Sequence, residues 1–318
     1  MFVNRNSNTI GGSSPGAGNV ISGNSRGLNI AGDTQTVMGN LIGTDATGMQ
    51  ALGNQEYGLR IGGGSHQVGG LLAGEANIIS GNQGDGIRQT GGSNLIQGNL
   101  IGVDQTGVAP LGNGQDGINL SGGDATVGGE AVGAANIIAY NGRNGIGIST
   151  TQARISQNPI FGNGALGIDL DNNGPTPNDP GDSDAGGNSR QNFPEIDSAL
   201  IGGGLTTING SLESAADTSY RLEFFVNEFS DPSGHGEGQV LVSSADVLTD
   251  GTGEATFALD FPGELSLQDV VTATATDPSG NTSEFSPNRL VGEAIADVAV
   301  TQVASADSYI LGESLTFT

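Results

Sequence analysis

The sequence contains no cysteine and no tryptophan, and aromatic residues make up only 4% of its 318 positions. The absence of cysteine excludes disulfides and thiolate metal sites, although it leaves the cellular compartment open. So few aromatic side chains argue against a large aromatic-centred core. The 57 glycines favour a turn-rich β architecture over a helical bundle.

Basic residues are also scarce, because the sequence has nine arginines and no lysine against 34 acidic residues, which gives a net charge of -25. This charge repels phosphates and anionic membrane surfaces, so we expect no nucleic-acid partner. No apolar run is long enough to span a membrane, and the first residues lack the apolar core of a signal peptide. We therefore expect no membrane span and, if the protein is exported, a signal upstream of this sequence.

What the sequence does contain is an internal repeat of about 59 residues. Two related sets of asparagine-led segments recur at this period: NVISGN, NIISGN and NIIAYN at Asn19, Asn77 and Asn136, and NLIGTD, NLIGVD and NPIFGN at Asn40, Asn99 and Asn158.

A second marker, glycine followed by an alternating apolar strand, divides each unit into two coils. It recurs at spacings of 31, 28, 31, 28 and 22 residues, at Gly27, Gly58, Gly86, Gly117, Gly145 and Gly167. The last spacing indicates a bare coil of 22 residues. The longer spacings contain inserts of nine residues (TGMQALGNQ and TGVAPLGNG) or six residues (within IGGSSPGAGN, VGGLLAGEAN and VGGEAVGAAN).

Coils of this length, with three short apolar strands and glycine or asparagine at the corners, predict a parallel β-helix. The general crossover preference predicts that it is right-handed. The asparagines that lead the strands are expected to stack as a ladder of side-chain amides that satisfy one another's hydrogen bonds. An open edge at the first coil predicts self-association.

Beyond Gly167 the repeat ends in a polar run, and from about Ile196 the sequence changes to strands of five to eight residues. The segments TTINGSL, YRLEFFVNEF, GQVLVSSADVL, EATFALDF and VVTATAT predict an Ig-like antiparallel β-sandwich. The expected domains are a β-helix with an Asp-rich exit loop (1–192), the sandwich (193–292) and the incomplete start of a further β-repeat domain (293–318). A lone strand pair is marginal, so we expect a longer natural chain.

Several motifs together resemble a known family: NLIGTDATGMQALGN, GIDLDNNGPTPNDPGDSDAGGNSRQNFP, YRLEFFVNEFSDPSGHGEGQ and TATATDPSGNTSEFS. They are similar to right-handed β-helix repeat proteins of bacterial surfaces, which often carry a CSLREA-type N-terminal region that is absent here. The resemblance covers residues 4 to 291. It implies export and an extracellular or cell-surface location, with no established reaction. The tail from Ala296 resembles the first strands of a domain that often follows in such proteins.

Many β-helix proteins cleave polysaccharides, so an enzyme has to be considered, although fold alone does not supply function. Asp45 and Asp104 occupy the same position in successive units and are expected about 10 Å apart, near the upper limit for an inverting glycosidase. The alternative is that each aspartate caps the turn into its insert. No Lys, His or second carboxylate is positioned to tune one of them as the acid.

Other candidate residues are weaker. The only Gly-His-Gly motif contains His235 and falls in the sandwich, so we expect a loop residue. His66 lacks a partner at metal spacing and is expected in a solvent-facing turn. Arg60 and Arg88, on successive strands, are candidates to contact a uronate, with a solvated outward face as the alternative.

A structural calcium site is the remaining candidate. Asp169, Asp171 and Asn173 resemble the start of a calcium loop, with Asp179, Asp182 and Asp184 nearby, and oxygen ligands on a flexible loop suit calcium. The match to an EF-hand is incomplete, because its twelfth position is Pro180 rather than glutamate. The alternative is a solvated acidic linker.

The sequence therefore favours a non-catalytic extracellular structural or adhesive module with no required cofactor. Its inserts, all on one side of a solenoid, are expected to bind a polysaccharide or another surface component. A carbohydrate-active β-helix enzyme with Asp45 and Asp104 as the pair is the alternative, and a spacer with no ligand is a third possibility.

Overall fold

The computed structural model describes residues 1–149 and 152–294, which are almost entirely β-structure. The single helical turn in this part of the chain is Gly187–Arg190. No helix among the described residues is long and apolar enough to cross a membrane. The tail predicted to begin a further domain lies almost wholly outside the described residues.

The N-terminal part consists of nineteen short strands. In chain order they are β1 (Phe2–Val3), β2 (Thr9–Gly11), β3 (Val20–Ile21), β4 (Leu28–Ile30), β5 (Thr36–Met38), β6 (Leu41–Ile42), β7 (Tyr57–Ile61), β8 (Gln67–Gly69), β9 (Ile78–Ile79), β10 (Asp85–Gln89), β11 (Ser93–Gln97), β12 (Leu100–Ile101), β13 (Ile118–Leu120), β14 (Asp124–Gly128), β15 (Ile137–Ala139), β16 (Ile146–Ile148), β17 (Ala153–Ser156), β18 (Ile160–Phe161) and β19 (Ile168–Leu170).

These strands form three parallel sheets, and each coil of the chain contributes one strand to each sheet. Sheet A has the order β1-β4-β7-β10-β13-β16-β19, sheet B β17-β14-β11-β8-β5-β2, and sheet C β18-β15-β12-β9-β6-β3. Equivalent residues of successive coils pair directly, as Leu28 does with Leu59 and Ile87 with Ile118. The predicted parallel β-helix is thus confirmed, and coils spaced by about 4.8 Å give a solenoid about 29 Å long.

Aliphatic side chains fill the interior of the solenoid. Alternate residues of each strand point inward, so Leu28 and Ile30 of β4 are fully buried while Asn29 between them is partly exposed. Burying an isoleucine or leucine contributes roughly 1.5–3 kcal/mol. A core built from such stacked side chains explains why the repeat needs almost no aromatic residues.

The predicted amide ladder is present, with each asparagine bonded to the next. Asn77 donates both its backbone N–H and its Nδ2 to Asn99 Oδ1, at 3.2 and 2.9 Å. Asn99 repeats the pattern on Asn136 at 3.0 and 2.9 Å. A second, equally regular ladder consists of Asn24, Asn54, Asn82, Asn113, Asn141 and Asn163.

Sheet C is apolar on its outer face as well as its inner face. Its outward column is Val20, Leu41, Ile78, Leu100 and Ile137. The nine-residue inserts fold back over this column. A Cβ on Gly48 would lie only 3.0 Å from Ile78 Cδ1, and one on Gly107 only 3.3 Å from Ile137 Cδ1. The inserts are therefore covers for a two-sided sheet.

The C-terminal domain has seven longer strands. They are β20 (Glu195–Gly202), β21 (Leu205–Glu213), β22 (Ser219–Asn227), β23 (Val240–Leu248), β24 (Glu254–Pro262), β25 (Val270–Thr276) and β26 (Arg289–Glu293). The five strands predicted from the sequence are all present, and β20 and β26 are additional.

These strands are hydrogen-bonded in the order β23-β22-β25-β26-β20-β21-β24. Neighbouring strands are antiparallel, as predicted, with the exception of β20 and β26, which run parallel. Strand β26 pairs with β20 at one edge and with β25 at the other, so it joins the two halves into one mixed sheet. The domain has its own core, which includes Tyr220, Phe224 and Phe257.

Candidate functional site

The predicted carboxylate pair lies at the nine-residue inserts, where each aspartate caps its own loop. Asp45 Oδ1 accepts hydrogen bonds from Thr47 Oγ1 at 2.7 Å and from the Thr47 N–H at 3.2 Å. Asp104 Oδ1 accepts the same two bonds from Thr106, at 2.6 and 3.0 Å. These are the Asx-type turns expected of aspartate at a loop start.

The pKa shifts of Asp45 and Asp104 are opposite in direction to the shift that the general acid of a glycosidase needs. The threonine hydroxyls hold the pKa of both Asp45 and Asp104 below its usual range, so both remain ionised. A general acid requires a raised pKa on one member. Strand β9 lies between the two strands that precede the loops, and no basic side chain in the described residues pairs with either carboxylate.

The two histidines are structural. The prediction of a solvent-facing turn at His66 is wrong, because the side chain is only 2% exposed. His66 Nδ1 accepts the Gln35 backbone N–H at 3.0 Å, and the backbone N–H of His66 donates to Asn94 Oδ1 at 2.9 Å, so the imidazole takes the place of an amide in a row of stacked polar residues. Burial lowers the pKa of His66 and keeps it neutral. His235 lies in a loop, with its ring 5.3 Å from that of Phe193.

The arginines of sheet A are mostly paired within the protein. Arg60 and Arg88 occupy neighbouring outward positions above a shallow cavity of about 270 Å³. Arg88 Nε contacts Asp85 Oδ2 at 2.7 Å, and nearby Arg26 Nε contacts Glu56 Oε2 at the same distance. Because two of these three charges already have carboxylate partners, this face offers little net charge to a uronate.

Of the aspartates predicted to form a calcium loop, only three come together as one group of carboxylates. Asp169 is buried and accepts hydrogen bonds from Asn144 Nδ2 at 3.0 Å and from the Asn173 N–H at 3.1 Å. Asp171 forms an ion pair with Arg190 Nε at 2.8 Å. Asp169 and Asp171 at the end of the solenoid, with Asn173 bonded to Asp169, are therefore not part of the group of carboxylates whose oxygens lie within 4.8 Å of one another.

Asp179, Asp182 and Asp184 do come together, with one oxygen of each within 4.8 Å of the others. Asp182 Oδ2 accepts a hydrogen bond from Ser214 Oγ at 2.5 Å, which ties the exit loop to the C-terminal domain. Burial, reinforced by the two neighbouring carboxylates, raises the pKa of Asp182 to about 6. Asp179 Oδ1 and Asp184 Oδ1 are buried without a hydrogen-bond donor in the described residues.

Such a group of oxygens fits the donor preference of calcium. Two carboxylate oxygens that are buried from solvent and have no donor among the described residues are costly unless a cation balances them. Asp184 Oδ2 also contacts Arg190 Nη1 at 3.3 Å, so part of the negative charge is already compensated. Three protein ligands would leave several coordination positions to water.

Three glutamates of the C-terminal domain close the last coil, and this polar site was not predicted from the sequence. Glu237 Oε1 accepts the Asn163 N–H at 3.0 Å and its Nδ2 at 2.9 Å, which is the pattern of the next ladder asparagine. Glu223 accepts Ser156 Oγ at 2.6 Å, and Glu284 accepts the Leu170 N–H at 2.9 Å.

All three glutamates are buried, with exposed fractions of 6%, 3% and 1% for Glu237, Glu223 and Glu284. Burial raises the pKa of Glu237 and of Glu284 to about 7 and also raises that of Glu223, against the N–H and O–H donors that favour the ionised form. Only Glu223, a charge inside the apolar strand YRLEFFV, carries a sequence signal that it meets a specific partner.

Apolar contacts join the same two bodies. The rings of Phe225 and Phe285 lie edge to face with centroids 5.4 Å apart and belong to the solenoid's core. Ile160 and Gly238 exchange two backbone hydrogen bonds, of 2.8 and 2.7 Å, across the junction. The C-terminal domain thus continues both the core and the hydrogen bonding of the solenoid. Comparison of the chain with protein-family models and with curated protein sequences gives no match.

Proposed function

We propose that this chain is a non-catalytic structural and adhesive module: a stiff solenoid that holds attached parts of a bacterial surface protein apart and contacts other surfaces along its side. The observation that carries this proposal is the continuity of the asparagine ladder from Asn24 to Asn163 and on to Glu237. A solenoid whose open end is covered by such a cap is suited to act as a rigid spacer that holds its two ends at a fixed distance.

The adhesive part of the proposal rests on the inserts. They carry apolar side chains into solvent at regular intervals, namely Met49, Leu52, Leu71, Leu72, Val108 and Val132. Extended faces with repeated exposed apolar groups are typical of surfaces that bind partners. A polysaccharide or another cell-surface component is the proposed partner. The surface location rests on the resemblance to β-helix repeat proteins with a following Ig-like domain.

Calcium is proposed as an auxiliary structural ligand. It would bind to Asp179, Asp182 and Asp184 and neutralise their mutual repulsion. Because Asp182 is bonded to Ser214, an ion there would strengthen the link between the exit loop and the C-terminal domain. No step of the proposed function depends on it.

The experiment is to incubate the chain with neutral and acidic polysaccharides, with and without calcium. New reducing ends, unsaturated products and protein retained on the insoluble polymers are all recorded. We expect retention without products. Products that disappear in Asp45→Asn or Asp104→Asn would show that the chain is an enzyme and overturn the proposal.

A further inference from the structure

A cleft of about 410 Å³ lies where the corner of the solenoid beside sheet C meets the loop between β22 and β23. Its volume is within the range of small-ligand sites, and junctions between domains are where such sites are most often found. Three of the chain's few aromatic residues, Tyr140, Phe161 and Phe229, line it.

Two of these aromatic residues interrupt the repeat at the cleft. Tyr140 occupies the corner where other coils have Gly23, Gly81 and Gly162, and it keeps their left-handed backbone with φ 58° against 69°, 71° and 65°. A bulky side chain in this conformation is strained. Phe161 occupies the position of Ser22 and Ser80 in the same alignment.

The rings form a floor that is not fully covered. Tyr140 and Phe161 lie edge to face with centroids 5.4 Å apart, and both are partly exposed. The Tyr140 ring packs on Gly162, where a Cβ would lie only 2.9 Å from it. Opposite them, Phe229 is 75% exposed on its loop. A large apolar side chain left in water at the rim of a cleft is typical of a binding site.

The polar groups of the cleft are a mixture of donors and acceptors with no basic side chain among them. Gln239 offers an amide, and Glu228 an exposed carboxylate. Glu237 also lines the cleft, but its carboxylate already accepts hydrogen bonds from Gly162 and Asn163. Asp231 Oδ1 accepts the Ser233 N–H at 2.8 Å.

We propose that this junction cleft binds a neutral pyranose oligosaccharide, with Tyr140, Phe161 and Phe229 stacking on the sugar rings and Gln239 and Glu228 bonding to their hydroxyl groups. A sugar ring presents an apolar C–H face and a rim of hydroxyls that both donate and accept, which matches this combination. An anionic sugar would be repelled by the carboxylates of Glu228 and Asp231 and would find no basic side chain in the cleft to pair with. A cationic peptide would find the carboxylates of Glu237 and Asp231 already engaged in hydrogen bonds within the protein.

This inference rests on the proposed adhesive function and names the ligand class of one site. The test is calorimetric titration of the full chain with neutral β- and α-linked gluco-, xylo- and chito-oligosaccharides, an oligogalacturonide and an oligolysine peptide. At least one neutral oligosaccharide should bind. Phe229→Ala and Tyr140→Gly should each weaken that binding by about ten-fold or more, as expected for an aromatic anchor.

The variants are chosen so that folding cannot account for the loss. Phe229 is exposed, and glycine is what other coils have at the Tyr140 corner, so neither variant should lower the thermal midpoint appreciably. Phe2→Ala, an exposed phenylalanine at the other end of the solenoid, is the matched control and should bind like the parent.

Three results would overturn the inference: no binding of any neutral probe, binding of the oligogalacturonide or the peptide alone, or unchanged affinity in both cleft variants. If the cleft variants keep the parent's affinity for the oligosaccharide while the protein is still retained on polysaccharide, the adhesive function is supported and the junction cleft is not its site. If the oligosaccharides are cleaved, the non-catalytic function itself falls, whichever variant binds.

Discussion

The glutamates at the junction are placed where carboxylates are normally excluded. A buried carboxylate without a cation is unfavourable in its charged form, yet Glu237 accepts hydrogen bonds from Asn163 of the last coil, and Glu284 accepts them from Leu170 and from Thr176 of the exit loop. The competition between burial and these donors makes the junction sensitive to pH near neutrality.

Stability should therefore fall as pH rises from about 5 to about 8. The folded-state pKa values of Glu237 and Glu284, about 7, lie above the ordinary value of 4.5, so the native state binds more protons in this interval. The contribution is fully present below pH 4.5 and is lost as pH passes through about 7. Urea unfolding at several pH values should show a loss of about 2–3 kcal/mol per glutamate.

Glu237→Gln should reduce this pH dependence, because glutamine can still accept the Asn163 bonds and does not ionise. The exposed Glu254→Gln is the matched control and should leave the slope unchanged. Stability that rises between pH 5 and pH 8 in the parent, or an equal slope in Glu237→Gln, would contradict the assignment.

The role of an individual polar residue could be predicted from the sequence where the same position recurs in several repeats, and it was missed where the residue occurs once. The ladder from Asn19 to Asn158 could be predicted because six segments share one position. His66 was misplaced because a histidine can replace an amide in a row of bonded side chains, and no repeat marked that row. Glu237 and Glu284 each occur once, outside any repeat, and the residues that bond to them lie outside their own domain.

The ladders are the elements that hold successive coils in register. Asn113 Oδ1 accepts two bonds from Asn82, and its Nδ2 donates to Ile79 O at 2.9 Å and to Asn141 Oδ1 at 2.9 Å. Removing this side chain leaves several buried polar groups without partners, each costing about 1–3 kcal/mol.

Asn113→Ala should therefore lower the free energy of unfolding by about 2–4 kcal/mol. Asn24→Ala, at the exposed start of the same ladder, is the control and should cost less than about 1 kcal/mol because water can replace its bonds. Equal losses in denaturant titrations of the two variants would show that stacking along the ladder contributes no cooperativity.

The nine-residue inserts provide a second test at this scale. Because Asn54 belongs to the ladder, the nine added residues of this coil are 44–52 and not the predicted TGMQALGNQ. Deleting 44–52 converts the coil into the bare form seen from Asn158 to Gly167 and should preserve the fold. It should uncover Ile78, which is 6% exposed in the intact chain, and lower stability by about 1–2 kcal/mol. Increased binding of a hydrophobic dye should accompany the loss. An unchanged stability would show that the insert is not a cover.

Most elements could be anticipated because their patterns are local. Consecutive apolar residues such as Leu100 and Ile101 indicate a strand buried on both faces, although only the structure identifies the insert as its cover. Strand β20 was missed because EIDSALIG follows directly on the polar exit loop. The parallel pairing of β20 with β26 depends on contacts between strands about ninety residues apart in the chain.

For the whole molecule, calcium should stabilise the connection between the domains. After chelation, addition of millimolar calcium should raise the thermal midpoint, since an ion that binds only the folded state contributes about 2.7 kcal/mol at one hundred times its dissociation constant. Asp182→Asn should abolish the increase, and the exposed Asp197→Asn should retain it. An increase that persists in Asp182→Asn would remove Asp182 from the ligand set.

A stiff, continuous module requires that the C-terminal domain caps the solenoid. Native-state hydrogen exchange of the amides in residues 152–170, compared with those of the central coil in residues 77–99, measures this directly. A capped last coil should open with a free energy similar to that of the central coil. Rapid exchange in the last coil, with the central coil still protected, would contradict the cap and with it the stiff, continuous module.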